Sequence, residues 1–94
     1  MTDIRQAIVS IGPELRQCYI AGTFKDAQLE GTVTVTFVID NASGKVSQAV
    51  DSGSNMRDPE VVDCVLGEFA ELRFVPGGQS PTEVTYSLPF RQQG

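Results

Sequence analysis

The run Gly31-Thr32-Val33-Thr34-Val35-Thr36-Phe37-Val38-Ile39-Asp40 decides the fold. It alternates small polar with apolar side chains almost without a break, and a period of two is what a β-strand covered on one face requires. Val33, Val35, Phe37 and Ile39 share the face that needs cover, while Thr32, Thr34 and Thr36 share the face that meets water. The neighbouring segments have to supply the cover.

Downstream, Asn41-Ala42-Ser43-Gly44 is a turn cluster with Gly where a positive φ is expected, and residues 45–51 resume extended character with Val46 and Val50 on one face. This predicts a β-hairpin. After the loop Ser52-Gly53-Ser54-Asn55, Asp58-Pro59-Glu60 places a capping acid, a proline at the first helical position and a second acid in the first turn. In the helix that follows, Val61, Val65, Phe69 and Leu72 form the buried face, with Cys64 and Leu66 alongside. Gly67 is its weak point, costing about 1 kcal/mol relative to Ala. Phe74-Val75 then leads into the polar connection Pro76-Gly77-Gly78-Gln79-Ser80-Pro81. Alternation returns over residues 82–90, with Val84, Tyr86, Leu88 and Phe90 inward and Thr85 and Ser87 outward. Pro89 has no amide to give a ladder, which places this strand at a sheet edge.

Upstream, Ile4, Ile8, Ile11, Leu15 and Cys18 fall on one helical stripe, with Asp3 and Gln6 supporting a start there. Gly12-Pro13 interrupts the stripe and predicts a kink or two short helices, and Gly22 is expected to act as the C-terminal cap. Residues 24–29 lack periodicity and read as a loop. The order is thus α-β-β-α-β, an α+β two-layer sandwich with two helices on one face of a three-stranded, mainly antiparallel sheet. The first strand, being the longest and most regular, is expected at its centre. Ninety-four residues with 40% hydrophobic content can bury one core, so residues 1–94 are read as a single domain.

Composition narrows the function classes. Histidine is absent, which removes the His general base, the Ser/His and Cys/His nucleophile pairs and the imidazole metal ligand. A net charge of −5 repels nucleic acid and anionic lipid headgroups. No apolar stretch approaches the roughly 20 residues that cross a bilayer. Five acids crowd residues 58–71, but Glu60, Asp63, Glu68 and Glu71 lack the tight loop spacing of a calcium site and read as a solvated helix face. Gly77-Gly78 lacks the Lys and following helix of a phosphate loop. No catalytic residue, cofactor or metal site is expected.

Cys18 and Cys64 lie on the two helical stripes, and both helices cover the same sheet face. They can form a disulfide in an oxidising compartment or remain two buried thiols. The sheet edges offer free backbone donors and acceptors to an incoming extended segment, the mode of recognition called β-augmentation; the alternative is an inert edge guarded by Pro89 and polar residues.

Several pieces together resemble a family. Leu29-Glu30-Gly31 running on through Asp40, then Ser43-Gly44-Lys45-Val46, Phe74-Val75-Pro76-Gly77-Gly78 and Tyr86-Ser87-Leu88-Pro89-Phe90 are similar to the C-terminal domain of TonB-type energy transducers. More narrowly, Cys18-Tyr19 and Asp63-Cys64-Val65 resemble the AgmX/PglI C-terminal branch found in myxobacterial gliding-motility proteins. The resemblance spans roughly residues 4–90. It implies a TonB/TolA C-terminal-like fold, periplasmic, and part of a longer protein anchored by one inner-membrane helix, with Met1 standing at a cut from that parent. The domain itself would not touch the membrane. It further implies an interaction module of a trans-envelope energy-transducing or gliding-motility machine. Its partner would be an outer-membrane or periplasmic protein segment added as a strand along Thr82, Glu83, Val84, Thr85, Tyr86, Ser87 and Leu88. Pro89 shortens that edge. A Cys18 to Cys64 bond would keep the first helix from peeling away under load.

The competing readings are a self-associating homodimer built on the same edges and a TonB-type transport module for outer-membrane receptors. More distant are a small carboxylate or thiol enzyme and a protease-inhibitor-like scaffold.

Overall fold

The computed structural model describes residues 4–74, 77 and 81–91. Strands β1 (Gly31–Asp40), β2 (Lys45–Asp51) and β3 (Thr82–Phe90) form one antiparallel sheet in the order β2-β1-β3. The longest strand is central, as its regularity requires. Helices α1 (Ile4–Ser10), α2 (Gly12–Thr23) and α3 (Pro59–Ala70) complete the fold. Gly12-Pro13 thus splits the first helical segment in two. The fold is the α+β two-layer sandwich expected.

The core follows from the alternation in β1. Val33, Val35 and Phe37 are wholly buried and Ile39 nearly so, while Thr32, Thr34 and Thr36 keep partial access to water. Phe37 packs between Phe69 of α3, with ring centroids 5.3 Å apart, and Phe74, at 6.5 Å and nearly parallel. Each such burial contributes about 1.5–3 kcal/mol, so the strand and the helix above it hold one another in place. Leu29, Met56, Val62 and Phe74 also enter the core. They stand in or beside loops, or one step off the stripe, where periodicity does not reveal them.

The hairpin turn uses Gly44 at φ 77°, with its amide donating to the Asp40 carbonyl at 2.7 Å. Here one sequence expectation is overturned. Val38 pairs with Gln48 but Ile39 pairs with Val46, so Ser47 is an extra residue in the ladder. That bulge reverses the parity of β2. Val46 and Ala49 face the core, and Val50, expected on the same face as Val46, is exposed.

A second expectation also changes. Gly22 is not the helix cap, because α2 runs on to Thr23. A Cβ placed on Gly22 would lie 2.5 Å from Val61 Cγ2 and 2.7 Å from Leu29 Cδ2. The glycine lets α2 and α3 approach closely. Cys64 is corrected too: it sits on the exposed rim of α3, while Val62 takes a buried place.

Asp58 caps α3 as expected, accepting the Glu60 amide at 2.9 Å, with Pro59 in the first turn. Lys25 Nζ lies 3.1 Å from Asp58 Oδ2 and 3.2 Å from Glu60 Oε2, and Arg57 lies 3.3 Å from Asp26. The hydrogen bond from Lys25 holds the Asp58 carboxyl below its ordinary range, and bonds to Asp58 and then Glu60 raise the Lys25 ammonium. These pairs tether the loop after α2 to the start of α3. Asp3, Val75, Pro76 and residues 78–80, read from sequence as a helix start and a loop, lie outside the described residues.

Two glycine substitutions should move stability in opposite directions. Gly67 is exposed in α3 with nothing within 4 Å of a new Cβ, so Gly67→Ala should stabilise by about 0.5–1 kcal/mol. Gly22→Ala gains the same helical preference but collides with buried Val61 and Leu29, and should destabilise by about 1–2 kcal/mol net. Urea denaturation of both variants checks the pair; a stabilised Gly22→Ala would refute the close approach.

Candidate functional site

The hydrogen bonds of β1 determine which backbone groups the sheet leaves free. The Thr32 amide donates to Asn55 Oδ1 at 2.6 Å and its carbonyl accepts the Asn55 amide at 2.9 Å. The Thr34 amide donates to Ser54 Oγ at 2.9 Å and its carbonyl accepts the Ser52 amide at 2.8 Å. The even-numbered groups of β1 therefore turn toward β2, and the odd-numbered ones toward β3. Since Val33 pairs with Leu88, Val35 with Tyr86 and Phe37 with Val84, these even-numbered residues of β3 spend their backbone groups on β1. Glu83, Thr85, Ser87 and Pro89 turn theirs outward.

This parity explains Pro89. Its missing N–H would point away from the sheet, so β3 continues unbroken to Phe90. Among the described residues no strand pairs with this edge. The opposite edge is better guarded: β2 carries the bulge at Ser47, Arg73 bridges to Lys45, and the Phe74 amide donates to the Gly44 carbonyl at 2.7 Å.

Of the seven residues singled out from sequence, Thr82 begins β3, its hydroxyl 3.0 Å from the Asn41 amide nitrogen. Glu83, Thr85 and Ser87 present backbone to the edge and side chains to the outer face. There Thr85 Oγ1 lies 2.9 Å from Thr36 Oγ1, and Ser87 Oγ lies 3.1 Å from Thr34 Oγ1. Val84, Tyr86 and Leu88 point inward and are only partly buried. Their backbones serve β1, which leaves their side chains as their contribution to any contact at the edge.

Beside the inner face of β3 lies a feature that sequence reasoning missed. A groove of about 800 Å³ runs between α2 and the end of β3, walled by Tyr19, Ile20, Leu88 and Phe90, with Arg16 and Arg91 along it. Phe90 stacks on Tyr19 with centroids 5.1 Å apart, and the Tyr19 hydroxyl donates to the Leu29 carbonyl, which keeps that ring in place. The groove joins residues about seventy positions apart, and Tyr19 and Ile20 stand off the stripe that periodicity identifies.

Cys18 and Cys64 are bonded to each other, with Cα atoms 5.6 Å apart, which decides between the two states left open by sequence. The bond links α2, where Cys18 is buried, to the exposed rim of α3. The acids Glu60 and Asp63 are exposed on α3, and Glu71 is exposed at its C-terminal cap.

Comparison with known proteins bears on the fold. Neither a family model nor a curated protein matches the chain in sequence. Its structure is similar to the NMR solution structure of the Helicobacter pylori TonB C-terminal domain, with a TM-score of 0.59 and 14% identity over 90% of this chain and 83% of that one. The chain has a TonB C-terminal-domain-like fold.

The parity of β3 is directly measurable. In amide hydrogen exchange at low protein concentration, Val84, Tyr86 and Leu88 should exchange at least about 100-fold more slowly than Glu83, Thr85 and Ser87. Equal protection of both sets would mean that the edge is already covered.

Proposed function

We propose that this chain is a periplasmic protein-protein interaction module, residues 1–94 forming one TonB-like domain, that binds a segment of an outer-membrane or periplasmic protein by β-strand addition. The observation that carries this reading is the unpaired β3 edge, where Glu83, Thr85 and Ser87 direct donors and acceptors outward on a TonB-type fold. The contact site is residues 82–88. Backbone bonds to Glu83, Thr85 and Ser87 would hold the incoming strand, while Val84, Tyr86 and Leu88 would line the inner face beside it. The guarded β2 edge supports β3 as the strand that receives it.

The finer assignment is the AgmX/PglI C-terminal branch of gliding-motility machines, in a parent anchored to the inner membrane. The cysteine pair supports it: a module that transmits force gains from a covalent tie between α2, in the N-terminal helical segment, and α3, which is packed on the sheet. A transport module for outer-membrane receptors shares this fold and edge. A second copy of the chain can also use the edge, and sedimentation over a range of concentrations separates that case from partner binding.

Peptides tiling the periplasm-facing segments of outer-membrane proteins should shift the amide resonances of residues 82–88 in an NMR titration. Thr85→Pro, which removes one edge-facing N–H just as Pro89 does, should keep the fold and abolish that binding. Shifts confined to the acidic side of α3 would reject strand addition.

The disulfide closes a separation of 46 residues, for which chain entropy gives about 4 kcal/mol at most. Cys18→Ser should lower the melting temperature, by up to roughly 15–30 °C, and reduce the force at which α2 leaves α3 in single-molecule pulling. An unchanged melting temperature and unfolding force would refute a mechanical role for the bond.

A further inference from the structure

The bond between Cys18 and Cys64 has one sulfur in the core and one at the surface. Cys18 is 3% exposed within α2, whereas Cys64 is exposed on the rim of α3. A thiolate arriving from solvent can therefore reach the Cys64 sulfur, while the Cys18 sulfur is covered. Acids surround that opening. Glu60 and Glu68 stand four residues before and after Cys64, about one helical turn to either side, and Asp63 adjoins it. On α2, Glu14 stands four residues before Cys18. Since Gly22 meets Val61 and Cys18 meets Cys64, the two helices run in opposite directions, which carries Glu14 toward Glu68. The cations in or next to these helices are engaged elsewhere: Lys25 is paired with Asp58 and Glu60, Arg57 with Asp26, Arg73 donates to the Glu71 and Leu72 carbonyls, and Arg16 lines the groove beside β3.

We propose that Cys64 is a thiol-exchange site, through which a neutral or cationic dithiol reduces the bond while anionic thiols are held off by the acids around it. The reductant's thiolate attacks Cys64 Sγ and its electron pair forms the new S–S bond. The Cys18–Cys64 bond breaks, and its pair leaves on Cys18. That sulfur takes up a proton, because burial disfavours a thiolate. The reductant's second thiolate then attacks its own sulfur in the mixed disulfide and expels the Cys64 thiolate. The dithiol ends as a cyclic disulfide, and its two protons end on Cys18 and Cys64. A monothiol adduct on Cys64 is instead open to re-attack by Cys18, which restores the bond. Once the bond is reduced, α2 is held by non-covalent contacts alone, through Gly22 against Val61 and Leu29 and Tyr19 against Phe90. None of this depends on strand addition at β3.

The test uses the oxidised chain at low ionic strength with cysteamine, mercaptoethanol and mercaptopropionate, a cationic, a neutral and an anionic thiol. Each rate is taken per thiolate and divided by that of the same thiol on hydroxyethyl disulfide, which removes differences in intrinsic nucleophilicity. Acid quenching and peptide mapping should place the adduct on Cys64 at least about tenfold more often than on Cys18. The normalised rate should be about fivefold or more higher for cysteamine than for mercaptopropionate. That ratio should fall toward one at about 0.5 M salt, and also in the double variant Asp63→Asn, Glu68→Gln, which leaves both Lys25 pairs in place. With dithiothreitol the rate of reduction should rise in proportion to concentration. A rate that levels off at that of global unfolding would mean that the bond opens only in unfolded chains and would overturn the proposal, as would an equal share of adduct on Cys18. Equal normalised rates for the three thiols, with the adduct still on Cys64, would overturn the exclusion of anions and leave the exchange site standing.

Discussion

The structure depends on covering one face of β1. A strand whose every second residue is Val, Phe or Ile cannot stay solvated on that side, and the cover comes from α3 through Phe69 and from the segment after it through Phe74, both against Phe37. Because that face is buried and the other is lined with threonine, a one-residue slip in pairing would expose the whole apolar set. Register is therefore strongly specified along β1, and β3, paired with it from Gly31 to Ile39 without irregularity, inherits that register.

The free edge follows from the register. Once Val33, Val35 and Phe37 are paired with Leu88, Tyr86 and Val84, it is settled which amides and carbonyls of β3 face outward. Pro89 falls on that outward set, so the residue that reads as a strand breaker leaves the ladder whole. The other edge is guarded by different means, a bulge at Ser47 and, at its Lys45 end, the bridge from Arg73. One side of the sheet is thus guarded and the other open.

Helix α2 is tied on by small and covalent devices instead of by a broad apolar face. Gly22 lets it approach Val61 and Leu29, Cys18 is bonded to Cys64, and Tyr19 reaches both Phe90 and the Leu29 carbonyl. Tied mainly toward α3, it meets the end of β3 through the Tyr19–Phe90 stack and leaves a groove beside that contact. The features that compensate for a small core thereby create the site's apolar wall.

By itself the sequence determined the α-β-β-α-β order, the central position of β1, the break at Gly12-Pro13, the Asp58-Pro59 helix start and the edge position of the last strand. Each of these rests on local periodicity or on the backbone chemistry of one or two residues, which a chain carries without knowing its neighbours. Only the tertiary structure decided that Ser47 is an extra residue, which turned Ala49 inward and Val50 outward, because a bulge is a relation between two strands and leaves the composition of either unchanged. It also decided that Gly22 serves close packing and not a cap, since the colliding atoms belong to residues distant in sequence. The groove with Arg16 and Arg91 was illegible for the same reason: its walls come from two ends of the chain, and no pattern within either end records that folding brings them together.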